Sequence, residues 1–330
     1  QALSLEPTDR FFKVLIFIFL CMMVVTDRLR LHTLLWLMAM VMGFYGAKGG
    51  VYTIVTLGQG IYDGQPETIL ADNNHMGIGL AATLPLFLYL YSQTKIPAVR
   101  YGLMVVFLLS IIAIVGTTSR GAFLALIVFG GFLWLRSSRK LSIAIAVILM
   151  AIPGYYLVPK DWTAKMETIQ DAETDESFQG RVDAWVINYK LAVEHPMTGA
   201  GLRNSYEKEI AQSVDIERAE RAKAAHSIYF EVMGGAGFIG LFIYLALFAA
   251  AFLTSWRIYL SRGNERLAPW KWRFAYYAQM SLVVFAIGGA SVSLEMWDGY
   301  LIVIALIAAL SKMSVSEGKP VGHALREARL

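Results

Sequence analysis

The sequence predicts an all-α polytopic membrane protein, and three observations lead to that fold class. Of the 330 residues, 57% are hydrophobic and only 16% are charged, whereas soluble domains average about 45–50% apolar and about 25% charged residues. Apolar runs as long as a membrane span recur along the chain, and the loops between them alternate in charge. This combination excludes an ordinary soluble domain.

The predicted spans follow from a length rule. A helix that crosses the hydrocarbon core needs about 20 predominantly apolar residues, and about nine segments satisfy it. They start near Phe11, His32, Asn74, Val99, Arg120, Leu141, Ser227, Ala275 and Gly299. We therefore expect a helical bundle with about nine spans in this sequence.

Positive charge alternates between successive loops. Lysine and arginine occupy the odd-numbered loops and the C-terminal tail, at Arg28, Arg30, Lys95, Arg100, Arg136, Arg139, Lys140, Arg257, Arg262, Arg266, Lys271, Arg273, Lys312, Lys319, Arg326 and Arg329. The even-numbered loops are neutral or acidic, with Asp63, Glu67 and Asp72 in the second and Glu295 and Asp298 in the eighth. Positive loops remain cytoplasmic, so the even-numbered loops are predicted to face outward. The N-terminus is then also outward, and we expect an odd number of further spans upstream in the intact protein.

One long polar segment divides the bundle. It covers residues 159–225, between a first transmembrane part at residues 1–158 and a last part at residues 226–330. Residues 177–195 are predicted to form a helix within it, which ends before a proline and two glycines. One face of this helix carries Arg181, Trp185, Asn188 and Ala192.

Two other outward segments are expected to lie at the surface. Residues 207–223 predict a second, charge-rich helix near the membrane surface, with Ile210 and Val214 on its apolar stripe. Residues 46–74 are rich in glycine and too short in apolar length to cross the bilayer. They predict a re-entrant or surface loop.

Three arginines stand on the side of the membrane where positive charge is disfavoured. Arg120 begins a span, and Arg181 and Arg203 lie in the polar segment. Because a guanidinium binds phosphate through two parallel hydrogen bonds, these side chains predict an anion site of diphosphate type. The alternatives are that Arg120 reaches to the lipid headgroups, that Arg181 pairs with Asp183 or a neighbouring acid, and that Arg203 binds backbone carbonyls.

His226 is the candidate base. It lies where the polar segment meets the next span, and an ordinary histidine pKa near 6.5 suits proton transfer near neutral pH. The alternative is a purely interfacial residue. His195 is a rival, but it is expected to cap a helix C-terminus. The residues expected to line the same outward cavity are His75, Asn74, Trp185 and Tyr206.

Several kinds of site are absent from the sequence. Walker-type and dinucleotide fingerprints do not occur in their strand–turn–helix context, and no basic patch indicates nucleic acid binding. With a single cysteine, Cys21, and no metal-ligand spacing, no metal or other cofactor is expected. The glycines after His226 are expected to permit close helix packing.

Several stretches of the sequence resemble the O-antigen ligase and polymerase family. They are TTSRG at Arg120, the Arg181-x-x-x-Trp185 helix, GAGLRNSY and HSIYFEVMGGAGFIGL at His226. The segment GFYGAKGGVYTIVTLGQG, with DNNH, is similar to putative O-glycosylation ligases found with exosortase systems. The resemblance extends from about residue 42 to residue 248.

The resemblance implies a GT-C-type membrane glycosyltransferase with about twelve spans and one large periplasmic loop, in the bacterial inner membrane. Its donor would be a glycan on undecaprenyl diphosphate and its acceptor a lipid A–core sugar hydroxyl, with inversion and without a metal. By the same resemblance, His226 would be the base, and Arg120, Arg181 and Arg203 would grip the diphosphate. Ser227 departs from the asparagine that often follows this histidine.

Other functions remain open at this point. An O-antigen polymerase or a protein O-oligosaccharyltransferase would use the same donor with another acceptor. A transporter or flippase for a lipid-linked glycan would use the same arginines and no base. Transporters, however, usually carry charges near the midplane and inverted repeats, which this sequence does not show.

Overall fold

In the computed structural model, residues 2–138, 140–141, 145, 176–222, 224–265 and 267–317 are described. Every regular element in these ranges is helical, which confirms the predicted all-α class. The span expected near Leu141, the first part of the polar segment and the basic tail fall almost wholly outside the described residues.

The described helices follow the predicted order. Before the polar segment they are α1 (Ala2–Val24), α2 (Arg28–Val55), α3 (Asn73–Gln93), α4 (Pro97–Gly116) and α5 (Arg120–Arg136). The polar segment contains α6 (Glu176–Glu194), a 3₁₀ turn (Asn204–Tyr206), α7 (Lys208–Val214) and α8 (Ile216–Arg221). After it come α9 (Ile228–Leu260), a 3₁₀ turn (Ser261–Gly263), α10 (Pro269–Gly289) and α11 (Asp298–Glu317).

Four helices among the described residues are long and apolar enough to cross a membrane: α2, α3, α4 and α9 with its following turn. The other predicted spans coincide with α1, α5, α10 and α11, which do not meet the same standard. Charged residues in the first half of α1 and the 17-residue length of α5 illustrate why. The count of nine spans therefore stays a prediction.

Helix α3 is the centre of the bundle. In its apolar window 78% of the residues are buried, against 11% for α9. Helices α2, α4, α5 and α10 pack around α3, and α9 packs on α10 and α6. An apolar helix that is mostly exposed is suited to contact with lipid, so α9 lies at the periphery of the bundle.

The prediction of a loop over residues 46–74 is wrong for its first ten residues, because α2 continues to Val55. Its glycines let α2 approach α4 closely. A Cβ on Gly50 would lie 2.4 Å from the carbonyl oxygen of Leu109, and one on Gly46 would lie 2.0 Å from Ser110 Oγ. Small residues at helix contacts permit this distance between backbones. The remaining residues, 56–72, form a loop as predicted.

The first predicted helix of the polar segment is confirmed as α6, but a single second helix is wrong. The chain is extended at Asp215 (φ −163°, ψ 99°), between α7 and α8. The Asp215 carboxylate accepts hydrogen bonds from the backbone N–H of Arg218 at 3.0 Å and from Lys190 Nζ at 2.7 Å. Capping therefore starts a new helix at this point. The apolar stripe at Ile210 and Val214 packs on Ile187 and Leu191 of α6.

Helix α9 is interrupted at Gly237, whose φ of 71° and ψ of −175° are not helical. The loop after α6 docks at this point. Ala200 N–H donates to the Gly234 carbonyl at 2.9 Å, and Phe238 N–H donates to the Pro196 carbonyl at 2.9 Å. The glycines of α9 thus allow close packing, as expected, but the segment that packs on them is the loop after α6 and not a helix. The interrupted backbone of an apolar helix is satisfied by protein, as a membrane location requires.

Candidate functional site

The outward loops of the prediction meet at one end of the bundle, which we call the polar end. It comprises residues 56–72, 117–119, 176–222, 224–227 and 290–297. Asn73 Nδ2 donates to the Thr117 carbonyl at 2.7 Å, and a Cβ on Gly121 would overlap Ser291. The opposite, basic end carries Arg28, which lies over the Trp270 ring at 5.6 Å, and Lys271. The predicted odd and even loops therefore lie at different ends.

His226 is held in a strained backbone conformation directly before α9. Its φ is 44°, a region that costs a non-glycine residue about 1–3 kcal/mol. The preceding residue is fixed by α6, since Trp185 Nε1 donates to the Ala225 carbonyl at 2.7 Å. The Trp185 ring also stacks on Phe230 of α9, with centroids 5.2 Å apart. Trp185, which was expected to line the cavity, thus fixes the backbone directly before the histidine.

The surroundings of His226 keep its ring neutral. Burial and the positive charge of Arg181 lower the pKa of His226 to about 4, although the charge of Asp72 opposes them. The ring is half-buried, and its Nδ1 has no hydrogen-bond partner among the described residues. At neutral pH this imidazole has a nitrogen lone pair to accept a proton. The predicted base is therefore chemically competent for that role.

His75 lies close enough to His226 to influence its titration. It follows Asp72, whose carboxylate caps α3 through the backbone N–H of Asn74 at 2.8 Å. The Nδ1 of His75 lies 2.9 Å from the Ile69 carbonyl. Because a carbonyl only accepts, Nδ1 carries the proton. The Asn74 side chain donates to Asn73 at 3.1 Å, so α3 brings both predicted residues to the polar end.

Arg203 lies beside buried carboxylates. It adopts φ 61° at the start of the 3₁₀ turn, and its Nε is 3.9 Å from Glu295 Oε1. Glu295 is 8% exposed, and burial raises the pKa of its carboxyl while Arg203 opposes the rise. The Oε2 of Glu295 has no hydrogen-bond partner among the described residues. Arg203 therefore offsets a buried acid as well as facing outward.

A hydrogen-bonded triad that the sequence analysis missed lies next to this pair. Tyr206 donates to Glu231 Oε1, and Ser293 Oγ donates to the same atom at 2.8 Å. The ring of Tyr206 is 46% exposed, but its hydroxyl points inward, and burial beside Glu231 raises its pKa. The triad ties the polar segment to α9 and to the loop before α11. In the sequence, only the presence of Glu231 inside an apolar run indicated this triad.

The remaining predicted arginines lie on separate elements. Arg120 is exposed at the first turn of α5, where Ser119 caps the helix through the Ala122 N–H at 3.2 Å. Arg181 is half-buried in α6 and acts electrostatically on His226. Asp183 bonds instead to Arg218 and to Arg221, the latter at 3.2 Å. These contacts occupy Asp183, the acid that was named as an alternative partner of Arg181.

The predicted residues thus form two adjoining groups at the polar end. The first contains His226, Arg181, Asp72 and His75; the second contains Arg203, Tyr206 and the two glutamates. His75 links them, because it lies close enough to His226 and to Glu295 to influence the pKa of each. In the described part of the chain, no cluster of three or more His, Cys, Asp or Glu side chains is arranged to hold a metal ion. The chemistry available here is proton transfer and anion binding.

Comparison with known proteins agrees with this chemistry. Residues 105–245 match the sequence model of the family described as O-antigen ligase. The matched segment includes Arg120, Arg181, Arg203 and His226. Comparison with curated proteins gave no match. Residues 105–245 are thus similar to the O-antigen ligase family, in agreement with the resemblance that the sequence motifs indicated.

Proposed function

We propose that the protein is an O-antigen ligase-type glycosyltransferase that moves a glycan from undecaprenyl diphosphate to a sugar hydroxyl of lipid A–core. One observation carries the proposal. His226, inside the family segment, is held neutral and half-buried beside Arg181. A neutral base next to a cation suits a reaction in which a hydroxyl attacks and an anion departs.

In the proposed step, every bond that forms is matched by one that breaks, and no cofactor is needed. His226 takes the proton as the acceptor O–H bond breaks, and the oxygen forms a new bond to the anomeric carbon. On the opposite face the bond from that carbon to the diphosphate oxygen breaks, and its electron pair leaves with the lipid diphosphate. Attack opposite to the leaving group inverts the configuration at the anomeric carbon.

Donor binding would activate the base. In the free protein the charge of Arg181 contributes to the low pKa of His226. A diphosphate bound by Arg181 would offset that charge and add negative charge near the ring. Since an anion favours the protonated imidazole, the pKa of His226 would rise towards the operating pH. The base would then be strongest when the leaving group is in place.

The three arginines would share the diphosphate. Arg181 is the one with an electrostatic effect on His226, so we assign it to the phosphate nearest the reacting carbon. Arg120, exposed at the start of α5, would contact the outer phosphate. Arg203 would divide its charge between the donor and Glu295, because its Nε already lies 3.9 Å from that acid.

The membrane arrangement belongs to the same proposal. The polar end would face the periplasm of a bacterial inner membrane, and the helices would form a GT-C-type bundle with about nine spans in this sequence. The basic end would then lie at the cytoplasmic surface. Membrane lipid would surround the exposed faces, above all that of α9.

Reconstitution tests the proposed reaction. The purified protein in liposomes would receive a glycan on undecaprenyl diphosphate and, separately, lipid A–core, a second lipid-linked glycan or a protein acceptor. We expect transfer to lipid A–core that a chelator does not reduce. Transfer only to the second glycan would indicate a polymerase, and transfer only to protein an oligosaccharyltransferase. Movement of the donor across the bilayer without transfer would contradict the enzyme and support a flippase.

A further inference from the structure

A cavity of about 370 Å³ lies inside the polar segment, between α6, the 3₁₀ turn, α7 and α8. Small-molecule sites typically measure about 300–1,000 Å³, so this one is large enough for a ligand. Of the residues expected to line an outward cavity, Tyr206 lines it. His75, Asn74 and Trp185 lie outside its wall.

The lining of the cavity suits a neutral, hydroxyl-rich ligand. Much of the wall is small and apolar, at Ala184, Ala211, Ala219, Ala222, Ala224 and Ala225. Ser205 adds a hydroxyl group, and Tyr206 adds an aromatic ring whose own hydroxyl bonds to Glu231. Asn188 is 2% exposed, and its Oδ1 lies against Gly234 of α9, where a Cβ would be 1.9 Å away. Asn188 therefore shapes the wall and leaves the hydroxyl of Ser205 and the ring of Tyr206 for a ligand.

The charges of the wall compensate each other. Lys208 Nζ and Glu220 Oε2 lie 2.9 Å apart, and Gln212 donates to the same carboxylate group at 2.7 Å. Both charged side chains are largely exposed, so they stand at the rim. An anion such as diphosphate would find no unopposed cation from this pair. In the described part of the wall, these paired charges favour an uncharged ligand over the anionic part of a lipid-linked substrate.

The cavity adjoins the proposed base. Ala224 and Ala225 form part of its wall, and the next residue is His226. The Ala225 carbonyl is fixed by Trp185 at 2.7 Å, and Tyr206 connects the other side of the wall to Glu231. A ligand in the cavity is thus separated from His226 by a short, anchored stretch of backbone.

We propose that this cavity binds a neutral sugar unit of a substrate glycan, next to the unit that reacts. The proposal rests on the proposed glycan transfer. The sugar unit belongs either to the donor glycan or to the acceptor core, which offer the same hydroxyl chemistry. Binding there would hold the glycan while its reacting end lies at His226.

Two cavity-narrowing variants test the proposal, Ala222→Leu and Ala219→Leu. Their matched control is Ser213→Leu, which adds the same side chain on an exposed position of α7 outside the wall. Kinetics would compare a one-sugar lipid diphosphate with a several-sugar one, and a truncated core with a complete one. We expect KM for one of the longer substrates to rise about tenfold, with the one-sugar donor and truncated core unchanged.

The pattern of KM values identifies the source of the sugar. A rise with donor length places donor glycan in the cavity, and a rise with acceptor length places acceptor core there. Equal KM values in parent and both cavity variants for all substrates would overturn the proposal. Folding is checked by thermal unfolding in detergent, and either cavity variant that unfolds like the parent suffices.

A binding measurement separates this proposal from the proposed reaction. The free neutral oligosaccharides released from the donor and from the core would be titrated separately into each detergent-solubilised protein while tryptophan fluorescence is followed. We expect one of the two to bind the parent and Ser213→Leu, and to bind the cavity variants at least tenfold more weakly. That result supports the site even if the parent transfers no glycan. Equal binding of each oligosaccharide by all variants would contradict it.

Discussion

The two ends of the bundle differ in backbone strain and in how their charged groups are paired. At the basic end, Arg28 donates to Gln93 at 3.3 Å and lies over Trp270. Lys271, fully buried, donates to the Met313 carbonyl at 3.1 Å and so caps the end of α11. Arg136 donates to Gln279 at 3.2 Å and contacts several aromatic rings. These cations have protein partners, although the Nε2 of Gln279 has no hydrogen-bond partner among the described residues.

At the polar end, strain and unsatisfied atoms occur together. The non-glycine residues with positive φ in the described ranges all lie there: Leu57, Glu67, Thr118, Arg203 and His226. Buried atoms of His75, His226 and Glu295 have no hydrogen-bond partner among the described residues. Strained residues persist only where the surrounding structure holds them, and they cluster at functional sites.

The comparison assigns different roles to the two ends. An end whose charged groups are paired fixes the helices relative to one another. An end with strained residues and unpaired buried atoms has polar groups that can still bind a substrate. A polar-end variant without effect on activity would weaken this assignment of roles, and so would a basic-end variant that abolishes activity in a folded protein.

The largest effect is expected for His226→Ala. Loss of the base should lower kcat about 10²–10⁴-fold, with thermal unfolding in detergent close to that of the parent because alanine, like histidine, keeps the strained positive φ. The matched control is His195→Ala, since His195 is exposed at the end of α6. Equal losses in the two variants would contradict the assignment of His226.

A smaller loss is expected for Tyr206→Phe. The variant removes one of the two hydrogen bonds that Glu231 Oε1 accepts and leaves Ser293. A hydrogen bond to a charged group contributes about 1.5–3 kcal/mol, so thermal unfolding should occur at lower temperature and kcat should fall about tenfold. Tyr189→Phe, on an exposed ring of α6, is the control. Parental stability in Tyr206→Phe would show that the triad does not hold the polar segment.

A still smaller effect is expected for Trp185→Phe, which keeps an aromatic ring against Phe230 and loses the bond to the Ala225 carbonyl. One neutral hydrogen bond contributes about 0.5–1.5 kcal/mol. We expect a several-fold lower kcat, measured with saturating donor, and an unchanged KM. A changed KM with parental kcat would mean that Trp185 binds donor and does not position His226.

The smallest effect on activity is expected at the basic end, for Arg136→Lys. Lysine keeps the charge but loses the planar contact with Trp256, Tyr259 and Tyr276. Exposed cation–π contacts contribute about 0.5–1 kcal/mol each, so the melting temperature should fall while kcat and KM stay within about twofold. A selective loss of kcat in a protein of parental stability would place function at both ends.

Much of the fold could be predicted because hydropathy and helix-breaking residues are local signals. Pro196 and the glycines after it ended α6 as expected. The break at Asp215 was missed although its cap on Arg218 is local, and the bond from Lys190 that supports it comes from a residue distant in sequence. The sequence analysis placed Gly46 and Gly50 in a loop because a glycine-rich segment has the composition of a loop. Their actual role is to allow close contact between α2 and α4.

The site was predictable only in part, for a related reason. His226 and the outward arginines stand out because they contrast with an apolar background and with the positive-inside rule. Glu231 and Ser293 become recognisable as partners of Tyr206 only when three segments meet. The anchoring role of Trp185 likewise depends on a backbone carbonyl 40 residues away, which sequence patterns do not specify.

His226 is proposed to be the base, and donor binding is proposed to raise its pKa. The pH dependence of glycan transfer tests this assignment most directly, because kcat/KM reports the free enzyme and kcat reports the enzyme–substrate complex. Protonated His226 accepts no proton, so activity falls as pH falls through its pKa. We predict an acid limb of kcat/KM below pH 6.5, towards 4, an acid limb of kcat at higher pH, and an upward shift of the first limb in Arg181→Ala. Coinciding limbs that Arg181→Ala does not move, or a limb that persists in His226→Ala, would contradict the account.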